Sequence, residues 1–123
     1  MSQLLSTNLG PVRLIGDNAT PIWGMSNAER NRRMAQSAAK NGSQLAPGHE
    51  LLFNLAYAFD PLLLNLVLDT PGTLFTWGDA PIVGQVAQGA DPLSAPHVVD
   101  LSDGRQLYNR QLRKLEQPMV REL

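Results

Sequence analysis

Residues 50–59 read ELLFNLAYAF, and they are followed by Asp60, Pro61 and a second apolar run, LLLNLVL at 62–68. The first run is mostly apolar and ends where Asp60 and Pro61 begin, which favours a buried strand over a helix. Asp60 is suited to cap a helix and Pro61 to begin one, because a proline at the first helical position loses no hydrogen bond. The stretch therefore predicts a buried strand followed by a short buried helix.

The segments around this stretch predict further elements of both kinds. Ser26 and Glu29 form a capping-box pattern, in which the Ser hydroxyl accepts from the Glu29 amide while the Glu29 carboxylate reaches back. The helix that starts there should run to about Lys40 and stop at Gly42, which suits the left-handed position after a helix. Strands are predicted at 11–16, 73–77, 81–86 and 97–101.

The order of the predicted elements indicates an α/β fold, a three-layer-like sandwich with a partly parallel sheet. A chain of 123 residues fits one domain. We expect a flexible N-terminus at 1–10, an α/β domain at 11–104 and a basic C-terminal helix within 105–123. That helix is predicted over 105–116, because Tyr108, Leu112 and Leu115 share one helical face.

Positive and negative charges are separated along the chain. Residues 41–104 contain seven Asp and Glu and no Lys or Arg, whereas residues 1–40 and 105–123 each carry a net charge of +3. Such separation is typical of a protein whose two ends meet an anionic partner, although helices that collect Arg and loops that collect Asp give the same pattern. The net charge of −1 argues against a nucleic-acid binder.

Residues with the spacing of known catalytic or metal sites are scarce. The chain has no Cys, no Gly-x-Ser-x-Gly elbow and no Walker loop, and its acidic residues are dispersed singly. The segment Gly16–Thr20 follows a strand as a phosphate-binding loop would, but it lacks the Gly density and the Lys. We therefore predict no catalytic residue, no metal site and no cofactor in this chain.

Two groups of cations are the candidate phosphate-binding residues. Arg30 and Arg33 lie three residues apart near the start of the first helix, whose positive end would favour an anion. Arg110, Arg113 and Lys114 share one side of the predicted last helix. The alternative for both groups is a solvated helix face.

Two segments resemble a known family. Residues 108–118, YNRQLRKLEQP, closely resemble the Tyr-Asn-Arg-x-Leu-Arg-Lys-x-Glu-x-Pro junction of certain CDP-alcohol phosphatidyltransferase family proteins. In those proteins the junction joins a cytosolic N-terminal domain to the membrane-embedded transferase. Residues 21–30, PIWGMSNAER, are similar to the Trp-Gly-Leu/Met-x-x-Ala-Glu-Arg start of a helix in that domain. The element order from Leu51 to Val86 is also similar, so the resemblance spans about residues 11–120.

The resemblance implies a nucleotidyltransferase-like α/β fold that has lost its catalytic residues. An active nucleotidyltransferase has a Gly- and Arg-rich loop after its first strand, where this chain has Gly16–Thr20. It also has an Asp at the end of the second main strand that binds Mg²⁺, and the pattern Asp-x-x-Phe-Asp-Pro would place that Asp where this chain has Ala56. Without both groups, the charge of the transferring phosphoryl group has no stabiliser. The resemblance thus implies a truncated, non-catalytic domain.

The same resemblance implies a place in the cell and a set of partners. The chain is expected to be the soluble N-terminal domain of a CDP-alcohol phosphotransferase of phospholipid biosynthesis, on the cytoplasmic side of the membrane. Its expected work is to position the membrane domain beyond Leu123, to assist dimerisation, or to bind a nucleotide or alcohol phosphate weakly. Arg110, Arg113 and Lys114 would lie at the anionic membrane surface. Mg²⁺ would belong to the membrane domain.

Two alternatives come from other classes of function. One is an active nucleotidyltransferase that makes a CDP-alcohol from CTP and a polyol phosphate, with Asp60 or Asp79 as unusual metal ligands. The other is a protein-interaction module that recruits a partner through the edge of a hairpin between Trp77 and Val86.

Overall fold

The computed structural model describes residues 3–7, 9–16, 26–103, 107–108, 114–115 and 120–122. The described residues form two helices, α1 (Asn27–Lys40) and α2 (Pro61–Asp69). Their strands, in chain order, are β1 (Gln3–Thr7), β2 (Gly10–Ile15), β3 (His49–Asn54), β4 (Tyr57–Phe59), β5 (Thr73–Trp77), β6 (Ala80–Ala87), β7 (His97–Asp100), β8 (Leu107–Tyr108), β9 (Lys114–Leu115) and β10 (Val120–Glu122).

Six of these strands form one mixed sheet in the spatial order β1, β2, β3, β6, β5, β7. Strand β2 runs parallel to β3, and β5 runs parallel to β7, whereas the other neighbours are antiparallel. Helix α1 lies in the connection between β2 and β3, since a parallel pair needs a long crossover. The predicted α/β class with a partly parallel sheet is confirmed.

Strand β3 is buried on both faces, as its apolar sequence predicts. Leu51 and Phe53 belong to the large apolar cluster beneath the helices. Leu52 points the other way and packs with Leu74 and Val86 in a smaller cluster. Because successive side chains of a strand alternate between faces, a strand with apolar residues at consecutive positions is stable only where both faces are covered.

Both described helices pack on the same face of the sheet. Ala35 of α1 and Leu63 and Val67 of α2 lie in the cluster that contains Leu51 and Phe53. The described part of the chain therefore has two layers, a sheet and one layer of helices, in place of the three-layer-like sandwich that the element order predicted. Element order alone does not determine on which face a helix packs.

The predicted single strand at 50–59 is two strands separated by a turn. Asn54 ends β3, because its side-chain oxygen accepts from the Ala56 N–H at 2.9 Å and its side-chain NH₂ donates to the Pro81 carbonyl at 2.7 Å. An Asn that bonds to the backbone two residues on forms a turn of its own. Strand β4 then begins at Tyr57 and pairs with β10.

The predicted ends of α1 are confirmed. The Ser26 hydroxyl accepts from the Glu29 N–H at 3.1 Å. At the other end Gly42 has a φ of 90°, and the N–H groups of Gly42 and Ser43 donate to the carbonyls of Ala39 and Ala38. This arrangement is a Schellman motif, which needs the left-handed conformation that glycine adopts without strain.

Helix α2 begins and ends close to where its sequence predicts. Asp60 caps it by accepting from the Leu62 N–H at 2.9 Å, and Pro61 is its first residue. Leu63, Leu64, Val67 and Leu68 are buried against the sheet.

The segment 1–10, for which a flexible N-terminus is predicted, contains a strand in its described residues. Residues 3–7 form β1, which pairs antiparallel with β2 so that Thr7 lies opposite Gly10. Gly10 has a φ of 136°, which allows the close reversal between the two strands. The polar sequence gives little sign of this strand, because an edge strand gains its stability from backbone pairing with its neighbour.

The predicted C-terminal helix over 105–116 is also wrong where the structure describes it. Leu107 and Tyr108 pair antiparallel with Leu115 and Lys114, and β10 pairs with β4. The spacing that placed Tyr108 and Leu115 on one helical face also allows a chain reversal that sets Leu107 opposite Leu115. The other residues of 105–119 lie outside the described part of the chain.

The side chain of Gln85 connects three parts of the fold. Gln85 lies on β6 and is fully buried. Its NH₂ donates to the carbonyls of Val67 and Leu68 at 3.1 and 3.3 Å, near the end of α2, and its oxygen accepts from the Ala46 N–H at 2.8 Å. The last carbonyls of a helix have no partner within the helix, so a buried amide that reaches them stabilises the helix end.

We predict that Gln85→Leu lowers the free energy of unfolding by about 2–4 kcal/mol, because it leaves backbone groups of α2 and of the 43–48 loop without their partner. Urea denaturation measures the change. Gln88→Leu is the matched control, since Gln88 is exposed, and it should change stability by no more than about 0.5 kcal/mol. Equal effects of the two substitutions would contradict a structural role for the Gln85 amide.

Candidate functional site

A groove of about 460 Å³ lies between α1 and α2. Its apolar wall comes from both helices and consists of Met34, Ala38, Pro61, Leu62 and Leu64. We call it the helix groove. Its volume is within the range of about 300–1,000 Å³ that is usual for small-molecule sites.

The polar part of the helix groove contains two cations and three neutral groups. These are Arg30, Arg33, Ser37, Asn41 and Asn65. The α1 members recur every three or four residues, so they form one face of the helix. That face meets the N-terminal half of α2, whose first turn is set by the Asp60 cap and Pro61.

The Arg30 side chain forms a hydrogen bond with the backbone of β4. One of its terminal nitrogens, Nη2, donates to the Phe59 carbonyl at 3.2 Å. The other, Nη1, is buried and has no hydrogen-bond partner. No carboxylate of the described residues pairs with Arg30 in the structure, and a guanidinium has five N–H donors to satisfy. Arg30 therefore lines the helix groove and has a guanidinium nitrogen whose N–H groups have no partner.

Arg33 has a different environment, because it shares a carboxylate with Arg32. Glu29 accepts from Arg32 through both of its oxygens and from Arg33 Nε at 3.0 Å. The hydrogen bonds from Arg32, and then that from Arg33, lower the pKa of Glu29 from 4.5 to about 2. The Glu29 carboxylate of the predicted capping box therefore faces these two arginines. The side chain of Arg33 is 64% exposed, so it can move.

The structure brings together two of the five predicted phosphate-binding residues. Arg30 and Arg33 both line the helix groove, although phosphate contact itself stays a prediction. Arg110 and Arg113 lie outside the described residues. Lys114 is on β9, and its side chain is not among those described.

The carboxyl ends of β2 and β3 meet at one edge of the sheet. The Leu55 N–H donates to the Ile15 carbonyl at 2.8 Å. Gly16 follows with a φ of 70°, and a Cβ there would lie 2.4 Å from the Asn54 side-chain oxygen, so only glycine fits. Ala56, at the position where the family resemblance implies a metal-binding Asp, lies in the turn just after β3. The rest of the segment Gly16–Thr20 is outside the described residues.

Sequence reasoning missed two asparagines on the buried face of α1. The Asn27 side chain donates to the carbonyls of Leu55 and Tyr57 at 3.0 and 2.8 Å, which fixes the start of α1 against the turn between β3 and β4. Asn31 is fully buried, and neither polar atom of its side chain has a hydrogen-bond partner. Asn27, Asn31 and Ala35 follow one another at four-residue intervals, so they lie on one face of α1. This spacing is the feature of the sequence from which both asparagines could be predicted to face the core.

A buried ion pair was also missed. Glu50 is fully buried at the start of β3, and one of its oxygens lies 2.9 Å from Arg13 Nε on β2, although the N–H does not point at it. The same oxygen accepts weakly from the Gly89 N–H at 3.4 Å. In the sequence Glu50 and Arg13 lie 37 positions apart, and only the parallel pairing of β2 and β3 brings them together.

The residues of the two alternative functions have structural roles in the described part of the chain. Asp60 uses a side-chain oxygen to cap α2, and Asp79 lies in the turn between β5 and β6. Among the described residues no group of three or more His, Asp and Glu is placed to bind a metal ion. Most of the β5–β6 hairpin has a neighbouring strand on both sides, because β6 pairs with β3 over Val83–Ala87 and β5 pairs with β7 over Thr73–Thr76. A partner contact at this hairpin stays a prediction.

Comparison of the chain with protein-family models, with curated proteins and with solved structures finds no match. Neither of the two described helices has the length and apolarity that are needed to cross a membrane.

We predict that Glu29→Gln removes a pH-dependent part of the stability. A carboxyl whose pKa is lowered on folding stabilises the folded state above its unfolded pKa of about 4.5, and this contribution disappears as the pH falls through the folded pKa of about 2. The difference in unfolding free energy between the wild type and Glu29→Gln should thus be full at pH 6 and shrink steadily between pH 4.5 and 2. Urea denaturation over that range measures it, and a constant difference would contradict the ion network.

Proposed function

We propose that this chain is the cytosolic, non-catalytic N-terminal domain of a CDP-alcohol phosphotransferase of phospholipid biosynthesis, and that it binds a phosphate-bearing ligand in the helix groove. The parent assignment rests on the resemblance at residues 21–30 and 108–118. The observation that carries the binding site is the position of Arg30 and Arg33 on the same groove, one of them with an unpartnered donor. Paired guanidinium groups are suited to phosphate because they donate several charge-assisted hydrogen bonds.

The proposed fold is a truncated relative of the nucleotidyltransferases. Three features support this reading: the parallel β2–α1–β3 unit, the position of Ala56 directly after β3, and the meeting of the two strand ends at Gly16. In parallel α/β sheets this edge is the usual place for a ligand. An alanine in place of the metal-binding carboxylate fits a domain that binds and positions without catalysing.

The proposed location is the cytoplasmic membrane surface. Arg110, Arg113 and Lys114 would contact anionic lipid, each contributing about 1 kcal/mol. The catalytic Mg²⁺ would be bound by the membrane domain, and a homodimer of the whole protein would bring two such domains together.

An active nucleotidyltransferase is the less favoured candidate, because Asp60 already accepts from the first turn of α2. If the Asp60 carboxylate bound a metal ion instead, α2 would lose its N-cap. This would weaken a helix that contributes buried residues to the apolar core.

The binding part of the proposal is tested by NMR titration of the 123-residue chain with CTP, a CDP-alcohol and inositol phosphate. We expect amide shifts at Arg30, Arg33 and Ser37 with millimolar ligand, because these residues line the helix groove. The amides of residues 88–96 do not line the groove and serve as the internal reference. Shifts confined to other surfaces, or no shifts with any of the three ligands, would contradict the proposed site.

The parent protein is tested independently by the reading frame downstream of the codon for Leu123. We expect apolar membrane spans that carry clustered Asp residues, since the family resemblance places the transferase there. A continuation without such spans would contradict the parent assignment. It would not affect the proposed phosphate site, which the NMR titration tests separately.

A further inference from the structure

We propose that the ligand of the helix groove is an amphiphilic phosphate, with its phosphate at Arg30 and Arg33 and a short alkyl chain along the wall formed by Met34, Leu62 and Leu64. This inference rests on the proposed function, because it names the class of ligand for the same groove. It goes beyond that proposal by requiring an apolar tail.

The apolar wall is the first reason. Leu62 is 52% exposed, although leucine is among the residue types most often fully buried. It lies beside Met34 and Leu64 on the groove, and methionine adapts readily to alkyl groups of different shape. A hydrophilic alcohol phosphate would leave this wall in water, whereas an alkyl chain would cover it.

The lining also disfavours a nucleotide base as the second half of the ligand. Bases bind well where an aromatic side chain stacks on them. The described residues that line the helix groove include no aromatic residue. Phe59, whose carbonyl accepts from Arg30, has a buried side chain that stacks on Phe53 with a ring separation of 5.7 Å.

The cations are the third reason, since they lie on the same groove as the apolar wall. Arg30 is fixed by its bond to the Phe59 carbonyl and keeps Nη1 without a partner, so a small shift of the guanidinium would present this donor to a phosphate. Arg33 is 64% exposed, so it could contact the phosphate from the solvent side once it leaves Glu29. Two guanidinium groups match the several acceptor oxygens of one phosphate.

Glu29 sets the strength of this site. Its carboxylate accepts from Arg33, so a bound phosphate must compete with it for that guanidinium. Arg32 contacts the same carboxylate, so removing Arg32 would leave Glu29 to bind Arg33 alone. Lys40 is exposed on the same helix and does not line the groove, which makes it the control for charge.

The test uses three soluble probes on the 123-residue chain by isothermal titration calorimetry, with NMR shifts to locate binding. The probes are glycerol 3-phosphate and two lipids, dihexanoyl phosphatidic acid and dihexanoyl phosphatidylcholine, each lipid below its critical micelle concentration. We expect the phosphatidic acid to bind at least about tenfold tighter than glycerol 3-phosphate, since each buried methylene strengthens binding by about fourfold. It should also bind about tenfold tighter than the zwitterionic lipid, which lacks a free phosphate.

Substitutions separate the two halves of the site. Arg33→Ala should weaken phosphatidic acid binding by about tenfold, whereas Lys40→Ala, with the same loss of charge on α1, should change it less than about twofold. Leu62→Asn should weaken phosphatidic acid binding and leave glycerol 3-phosphate unchanged. Leu93→Asn is its control, because Leu93 is 57% exposed and does not line the groove. Glu29→Gln should tighten binding of both phosphates.

Each contrary result has a definite meaning. Equal affinities for phosphatidic acid and glycerol 3-phosphate would overturn the amphiphilic ligand and leave the proposed phosphate site standing. Equal affinities for the two lipids would overturn the role of the arginines. No binding of any phosphate probe would overturn both this inference and the proposed site.

Discussion

The buried amide of Gln85 is the interaction on which the position of α2 on the sheet depends. It lies on the central antiparallel strand β6 and is bonded to the end of α2 and to the loop that leads into β3. Apolar packing would allow α2 to slide along the sheet, because dispersion and burial are not directional. Three hydrogen bonds of fixed geometry remove that freedom. The position of α2, and with it one wall of the helix groove, follows from this side chain.

Much of the interior fold could be predicted from single residues with defined local roles. Ser26 and Gly42 set the ends of α1, and Asp60 with Pro61 sets the start of α2. These residues act on the backbone next to them, so their effect does not depend on the rest of the fold. The strands at the two ends of the chain were missed for the opposite reason. β1 and β10 exist because β2 and β4 offer them free backbone groups, and no local signal reports that.

The candidate site was only half predictable. The three-residue spacing placed Arg30 and Arg33 on one side of α1, and both do line the helix groove. The wall contributed by α2 was not foreseen, because the relative position of two helices is a tertiary property. The same limit applies to the buried polar groups. Glu50 and Arg13 become partners only through strand pairing, and nothing in the described residues explains why Asn31 lies buried without a partner.

The bond between Arg30 and the Phe59 carbonyl connects the helix groove to the end of the chain. Phe59 lies opposite Val120 in the pairing of β4 with β10. Arg30 lines the groove and also bonds to the backbone of the residue at which β4 meets β10. A single side chain therefore contacts both the groove and the pairing of these two strands.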